Sequence, residues 1–406
     1  MTASIEFFPV GNGDMTLIRL ATGRTILIDI NIRNDADDQN KHDYPDVAKM
    51  LKDRLERDAD NDNRLYVDAF VLTHPDQDHC GGLQNHFHLG APSTWKKPEG
   101  EELEKILIHE MWSAPLTFRR ADRVDGNLVP NAEAWKKEAK RRVKLAKDGE
   151  ASANELGNLI KIMGEDVHHD KTEGIEHLIQ KVGESTNTIC GQADPSFSAL
   201  LLSPKVVTEE EADALPGKNN SSIVMQFSFS PSDSTLDKKT ATRFLTGGDA
   251  EINIWKRIWH RNEETTQNLA YHILQTPHHC SLGALSYDNY NDQAGKQGKG
   301  EECDIDKEAY SALSQAETAA YIVASSEEPA EKSGKDLAKR LYEAIAENAN
   351  GKFLGTMTDS KDEPLKLEIT ERGPESPRKK GPIPAVPPKT QKGTTEKSYA
   401  RFTTRL

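Results

Sequence analysis

The chain has 406 residues, 35% hydrophobic and 29% charged, a formal net charge of −14 and a mean hydropathy of −0.71. That length allows one large domain or two ordinary ones with a substantial buried core, and no run of about 18 apolar residues exists to form a transmembrane helix. The acidic balance argues against a globally basic nucleic-acid binder but leaves room for a local basic groove.

The opening MTASIEFFPVGNGD lacks the basic start and continuous apolar segment of a signal peptide, so a cytoplasmic protein is expected. Cys80, Cys190, Cys280 and Cys303 form no CxxC pair, which points away from a disulfide framework or a structural zinc. Cys80 and Cys280 each follow a candidate ligand histidine; small residues at tight positions are the plain reading, a redox pair the alternative.

In chain order, Ile5–Val10 and Met15–Leu20 read as strands joined by the turn Gly11-Asn12-Gly13-Asp14. Arg24–Ile30 is a third strand carrying Asp29 near its end. Helical spacing of Val47, Met50, Leu51 and Leu55 predicts a helix over Tyr44–Asp58. The strand Tyr66–Leu72 then runs into VLTHPDQDHCGG, which packs His74, Asp76, Asp78 and His79 into six residues. Imidazoles and carboxylates at this density, on a loop closed by two glycines, are the ligand types and spacing that a metal site needs.

From residue 91 to about 196 the sequence turns charged and reads as a helical insertion, with helices expected at 134–147, 151–163 and 174–182. The first, AWKKEAKRRVKLAK, is strongly basic and offers phosphate contacts, although such faces are ordinarily just solvated. Strand signals return at 198–202, 222–229 and 243–245, the last ending in Thr246-Gly247-Gly248-Asp249. A helix over 250–259 precedes the strand Tyr271–Gln275, which empties into Thr276-Pro277-His278-His279-Cys280-Ser281. A polar loop at 287–306, strands at 319–324, 352–358 and 365–369, and a helix at 335–347 complete a domain spanning 1–372; residues 373–406, proline-rich and basic, read as a disordered tail. Three times a strand empties into a loop bearing His or Asp, which places those loops along one edge of the sheets.

These pieces resemble the metallo-β-lactamase superfamily, and within it the branch typified by the soluble domain of the competence protein ComEC. FFPVGNGDMTLI resembles the opening strand and turn of that branch, LTHPDQDHCGG its signature loop, NNSSIVMQF and FLTGGDAE its middle motifs, and TPHHCS its closing His-His motif, all in the expected order. The resemblance implies an α/β fold, an αββα sandwich, with a dinuclear site at one edge. His74 and Asp76 then suit one metal and Asp78 and His79 the second, with Asp249 as the bridging carboxylate and His278 or His279 completing the second metal. The pattern leaves open which one binds metal; His278 is taken as the ligand and His279, with Asp78, as catalytic.

Asp76 stands where the wider superfamily has histidine, and an added oxygen ligand moves preference from zinc towards manganese or magnesium. Cys280 stands where glycine is usual. The histidine that many relatives supply between the signature loop and the bridging aspartate has no clear counterpart among His109, His168, His169 and His177. Asn219, Asn220, Ser221 and Ser281 are candidate substrate-binding residues.

The implied chemistry is a metal-dependent phosphodiesterase using two divalent ions (zinc or manganese, with magnesium allowed) to generate a metal-bound hydroxide. A nuclease acting on DNA or RNA is the first reading, and hydrolysis of a small phosphoester or other ester the second. The third is a non-catalytic scaffold whose insertion or tail binds a protein partner. No membrane association is expected.

Overall fold

The computed structural model describes residues 2–35, 44–100, 102–124, 128–167, 172–206, 218–237, 241–288 and 303–377. Its centre is two stacked sheets. The first runs in the order Ile179–Gln180, Leu159–Met163, Ile106–Ser113, Arg64–Val71, Thr25–Ile28, Thr16–Arg19, Ser4–Phe7, Leu365–Thr370, Gly373–Glu375. The second is ordered Ser185–Thr186, Phe197–Ser203, Val224–Phe229, Thr242–Thr246, Tyr271–Gln275, Ala316–Ala324, Lys352–Gly355.

Alternation along the strands sends side chains to both faces, so each sheet is apolar on both sides and must be covered twice. Between the sheets, Ile5, Phe7, Ile26, Ile28, Val71 and Trp112 meet Phe197, Leu201, Met225, Phe227, Phe244 and Ile273. The outer face of the first sheet (Leu17, Leu27, Val67, Phe70, Ile108) is covered by Val47 and Leu51 of the helix Val47–Lys52 and by Ala132 and Trp135 of the helix Pro130–Lys147. On the outer face of the second sheet, Leu202, Val224, Leu245, Leu274 and Ile322 pack on Trp255 and Ile258 of Ile252–Asn262 and on Leu337, Leu341 and Ile345 of Gly334–Asn348. The fold is therefore an αββα sandwich. Among the described residues, no helix is long and apolar enough to cross a membrane.

The interval 91–196 differs from the helical insertion expected. Ile106–Ser113 lies inside the first sheet, parallel to Arg64–Val71 and to Leu159–Met163. Parallel neighbours need a long crossover, and Pro130–Lys147 provides it. All eight residues of ILIHEMWS are buried, so no polar alternation marks the strand in the sequence. The stretches 151–163 and 174–182, read as helices, instead hold short 3-10 turns followed by the strands Leu159–Met163 and Ile179–Gln180. At the other end, Gly373–Glu375 pairs with Leu365–Thr370, so the first residues assigned to the tail belong to the sheet; 378–406 lie outside the described residues.

In both sheets, parallel strands point the same way into the loops that carry the chemistry. Thr25–Ile28 ends at Asp29, Arg64–Val71 at the His/Asp loop, Thr242–Thr246 at Asp249 and Tyr271–Gln275 at His278. The sheets are tied together there: Thr16 Oγ1 donates to Gln275 Oε1 at 3.0 Å, and Ile223 N to Thr73 O at 3.0 Å.

Candidate metal centre

The site is built around the carboxylate of Asp249, which is 2% exposed. Its Oδ1 lies 3.0 Å from His79 Nε2 and 3.2 Å from His279 Nε2, and Asp78 Oδ2 is 3.3 Å from that same His279 nitrogen. Its Oδ2 lies 3.5 Å from His74 Nε2 and 3.4 Å from His278 Nε2, with Asp76 Oδ2 3.7 Å from His74. Each oxygen of one carboxylate thus serves its own group of imidazole and carboxylate donors, the arrangement a bridging ligand requires.

Glycine makes this approach possible. Gly248 has φ +47°, and a Cβ there would fall 2.3 Å from Thr73 Oγ1, so only glycine lets the Asp249 loop lie against the signature loop. At Gly13 a Cβ would sit 2.2 Å from Asn31 Nδ2 and 2.8 Å from Asp78 O. That close packing lets Asp14 N donate to Asp78 O at 3.1 Å. The closing motif is strained: His278, His279 and Cys280 have φ of +51°, +51° and +62°, each costing on the order of 1–3 kcal/mol for a residue with a side chain. The left-handed backbone at Cys280 gives the physical reason glycine suits that position. His278 N donating to Gly248 O at 2.9 Å locks the turn to the Asp249 loop.

Two aspartates without a role in the sequence reading complete the site. Asp29 Oδ2 is 2.7 Å from His79 Nδ1, while Asp29 Oδ1 accepts from Thr73 N at 2.7 Å. Asp14 Oδ1 is 3.2 Å from His279 Nδ1. Each directs the Nε2 of its histidine towards Asp249, as an outer carboxylate does for a ligating imidazole. Asp29 stands at the end of RTILIDI and Asp14 at the end of VGNGD; an acidic residue where a strand or turn stops was the available signal.

Burial alone would raise the Asp249 carboxyl, but His279, His79, His74 and His278 override it and hold the group well below the usual carboxylate range. Asp78 behaves alike: burial opposes ionisation, while the His279 hydrogen bond and the His79 charge drive its carboxyl down. Burial would lower His79 and His279, yet Asp249 with Asp29, and Asp249 with Asp14, push them well above the ordinary imidazole range. Their Nε2 atoms are 3.1 Å apart, so the two imidazoles titrate as a coupled pair. Burial raises Asp29 against the pull of His79, and burial lowers His278 against that of Asp249.

The donor set fits divalent metal. Asp78, His79, Asp249 and His279 offer ligand atoms all within 4.8 Å of one another, as do His74, Asp76 and Asp78. His74 Nε2 and Asp249 Oδ1 are buried without a well-aligned hydrogen-bond partner, a costly state for polar atoms that a cation relieves. The half-buried donors Asp76, Asp78 and His278 form the mouth.

Every described residue proposed as a ligand from the sequence converges here. His279, assigned to catalysis, faces the group of Asp78 and His79, whereas His278 faces that of His74. His278 thus approaches the same Asp249 oxygen as His74. Asn219 Nδ2 donates to Glu251 Oε1 at 3.3 Å, and Glu251 is 4.0 Å from His278 Nδ1, so Asn219 borders the mouth. Ser221 O accepts from Thr117 Oγ1, and Ser281 Oγ accepts from Gly283 N at 3.2 Å. No side-chain placement is described for Asn220. His109 stacks on Tyr66 beside Asp68, apart from the site, His177 is exposed, and His168 and His169 lie outside the described residues. Cys80 Sγ donates to Asp76 O, and burial pushes the Cys280 thiol up to about 12, which fits small buried residues at tight positions.

No family model and no curated protein matches the sequence. Among solved structures, the chain is similar to Igni18, a metallo hydrolase from the hyperthermophilic archaeon Ignicoccus hospitalis KIN4/I: identity is 11%, the TM-score 0.36, and the match covers 90% of this chain and 100% of that one. It is also similar to an isothiocyanate hydrolase from Delia radicum gut bacteria, at 11% identity and a TM-score of 0.32, covering 87% of this chain and 95% of that one. At those scores neither likeness carries an argument about chemistry.

Proposed function

We propose that this chain is a metal-dependent hydrolase of the metallo-β-lactamase type that cleaves phosphoesters. The observation that carries the reading is Asp249, whose two oxygens each face a separate group of imidazole and carboxylate donors. Divalent ions held there would supply Lewis-acid stabilisation of negative charge and acidify a water. The protein's own part is positional. Asp29 and Asp14 fix the orientation of His79 and His279, Asp249 joins the two donor groups, and Asp76, Asp78 and His278 keep one side open to substrate.

A nuclease would need a basic surface near this mouth. The helix Pro130–Lys147 begins near the signature loop, where Asn131 Oδ1 accepts from Gln84 N, and Trp135 bonds Ser113. By Arg142 it has reached Ile108, His109 and Leu159, further down the sheet from the site. Arg142 is buried, and Arg141 bonds Glu138, Asn158 and Gly90. The exposed Lys137, Lys140, Lys144 and Lys147 thus run along the helix, from beside Trp135 away from the mouth. This favours the second reading, a small phosphoester, over a polynucleotide.

The test is metal analysis of the purified chain together with turnover of bis-p-nitrophenyl phosphate beside plasmid DNA, with and without chelator. Two equivalents of metal and chelator-sensitive turnover of the small diester are expected. A metal-free, inactive protein would overturn the proposal in favour of a scaffold.

A further inference from the structure

A cavity of about 700 Å³ opens beside the metal centre, lined by Asn12, Ser281, Gly283, Glu327, Ser333 and Lys335. It adjoins the donor groups. A Cβ on Gly283 would lie 3.8 Å from His278 Nδ1, Ser281 follows the closing histidines, and Asn12 is two residues from Asp14. Its size suits one small molecule rather than a polymer.

Lys335, half-buried in the first turn of Gly334–Asn348, is the residue in this cavity whose charge is unspent. Its ammonium donates to Asn12 Oδ1 at 2.8 Å, a neutral acceptor, and among the described residues no carboxylate lies within ion-pair distance of it. Three acids also line the cavity: Glu327 accepts from the Tyr44 hydroxyl, Glu328 is paired with Lys339 Nζ at 2.6 Å, and Asp288 accepts from Asp304 N at 3.3 Å. Burial lowers the Lys335 ammonium, and the carboxylate of Glu327 is among the charges that oppose the shift. A partly buried cation with an amide as its sole tether is ready to receive an anion.

We propose that Lys335, steered by Asn12, binds an anionic oxygen of the substrate, and that the hydrolase takes small phosphoesters lodged between the Asp249 cluster and this cavity. The inference rests on the hydrolase reading and names its substrate class.

The experiment uses the full chain loaded with manganese or zinc, assayed on bis-p-nitrophenyl phosphate and titrated with inorganic phosphate as inhibitor. Lys335→Met is expected to keep the parent's metal content while raising KM and the phosphate inhibition constant about tenfold, the loss of one charge-assisted hydrogen bond, with a smaller change in kcat. Lys335→Arg recovers most of the effect, and Asn12→Ala shifts KM the same way by less. Should Lys335→Met fail to fold, the latter two carry the comparison. An unchanged phosphate inhibition constant with full metal content overturns the role of Lys335 alone; a parent chain that binds no metal overturns the hydrolase reading and this inference together.

Discussion

His79 Nε2 and His279 Nε2 lie 3.1 Å apart although 200 residues separate them in sequence, and both face Asp249 Oδ1. One imidazole comes from a loop of the first sheet and the other from a loop of the second, so a metal held by both would tie the packing of the two sheets together.

Metal affinity should therefore depend on pH. His79 and His279 hold protons well above the ordinary imidazole range, and metal must displace them. Affinity is expected to tighten as pH rises from 6 to 8, with protons released on binding; calorimetry in buffers of different ionisation enthalpy measures the release, and zero release with pH-independent affinity would contradict it. The metal-free chain should show the opposite trend in stability. Raised histidine pKa values give stabilisation that is full below the unfolded value near 6.5 and is lost as pH rises through the folded values. The depressed Asp249 and Asp78 contribute above about 3.8 and lose that only in acid. Thermal melts in excess chelator should thus fall on going from neutral to alkaline pH.

Asp29→Asn tests the outer carboxylate. Asparagine tolerates the φ of +54° at this position, so the fold should persist while His79 loses its charged partner. A loss of about 10- to 100-fold in metal affinity or turnover is expected; an unchanged metal titration would show that Asp29 does not orient the ligand.

His278→Ala and His279→Ala should each lower bound metal from two equivalents towards one, because the two imidazoles face opposite oxygens of Asp249. If His279→Ala keeps two equivalents and loses only turnover, His279 acts on substrate instead. Asp249→Ala should lose both equivalents and reduce turnover more than about a hundredfold.

Gly248→Ala is expected to destabilise the protein by about 1–3 kcal/mol, since the added Cβ meets Thr73 in a left-handed backbone. Thr73 also bonds Asp29, so metal affinity should fall in parallel. Urea denaturation and a metal titration check the pair of effects.

Arg142→Ala separates scaffolding from nucleic-acid contact. The buried guanidinium bonds Glu138 and three backbone carbonyls, so a stability loss of about 2 kcal/mol or more is expected. The salt dependence of any DNA affinity should not change. A stable variant with weakened DNA binding would restore the basic helix to the nuclease reading.

The sequence by itself determined the ligand types and their order. His74, Asp76, Asp78 and His79 are dense enough to be seen as donors, and Asp249 and His278-His279 stand at strand ends marked by glycine or proline. Strands with alternating or short apolar runs were legible too, because a periodicity of two is written in local residues. Ile106–Ser113 was not: a strand covered on both faces has no alternation to show, and its charged surroundings suggested helix. The tertiary structure alone decided which donors face each oxygen of Asp249, that His278 and His74 face the same one, and that Asp29 and Asp14 stand behind His79 and His279. It also turned the basic helix into a cover for the first sheet and brought Lys335 to the cavity. Each of these depends on two sheets packing face to face, and contacts between residues hundreds of positions apart leave no periodic trace in the chain.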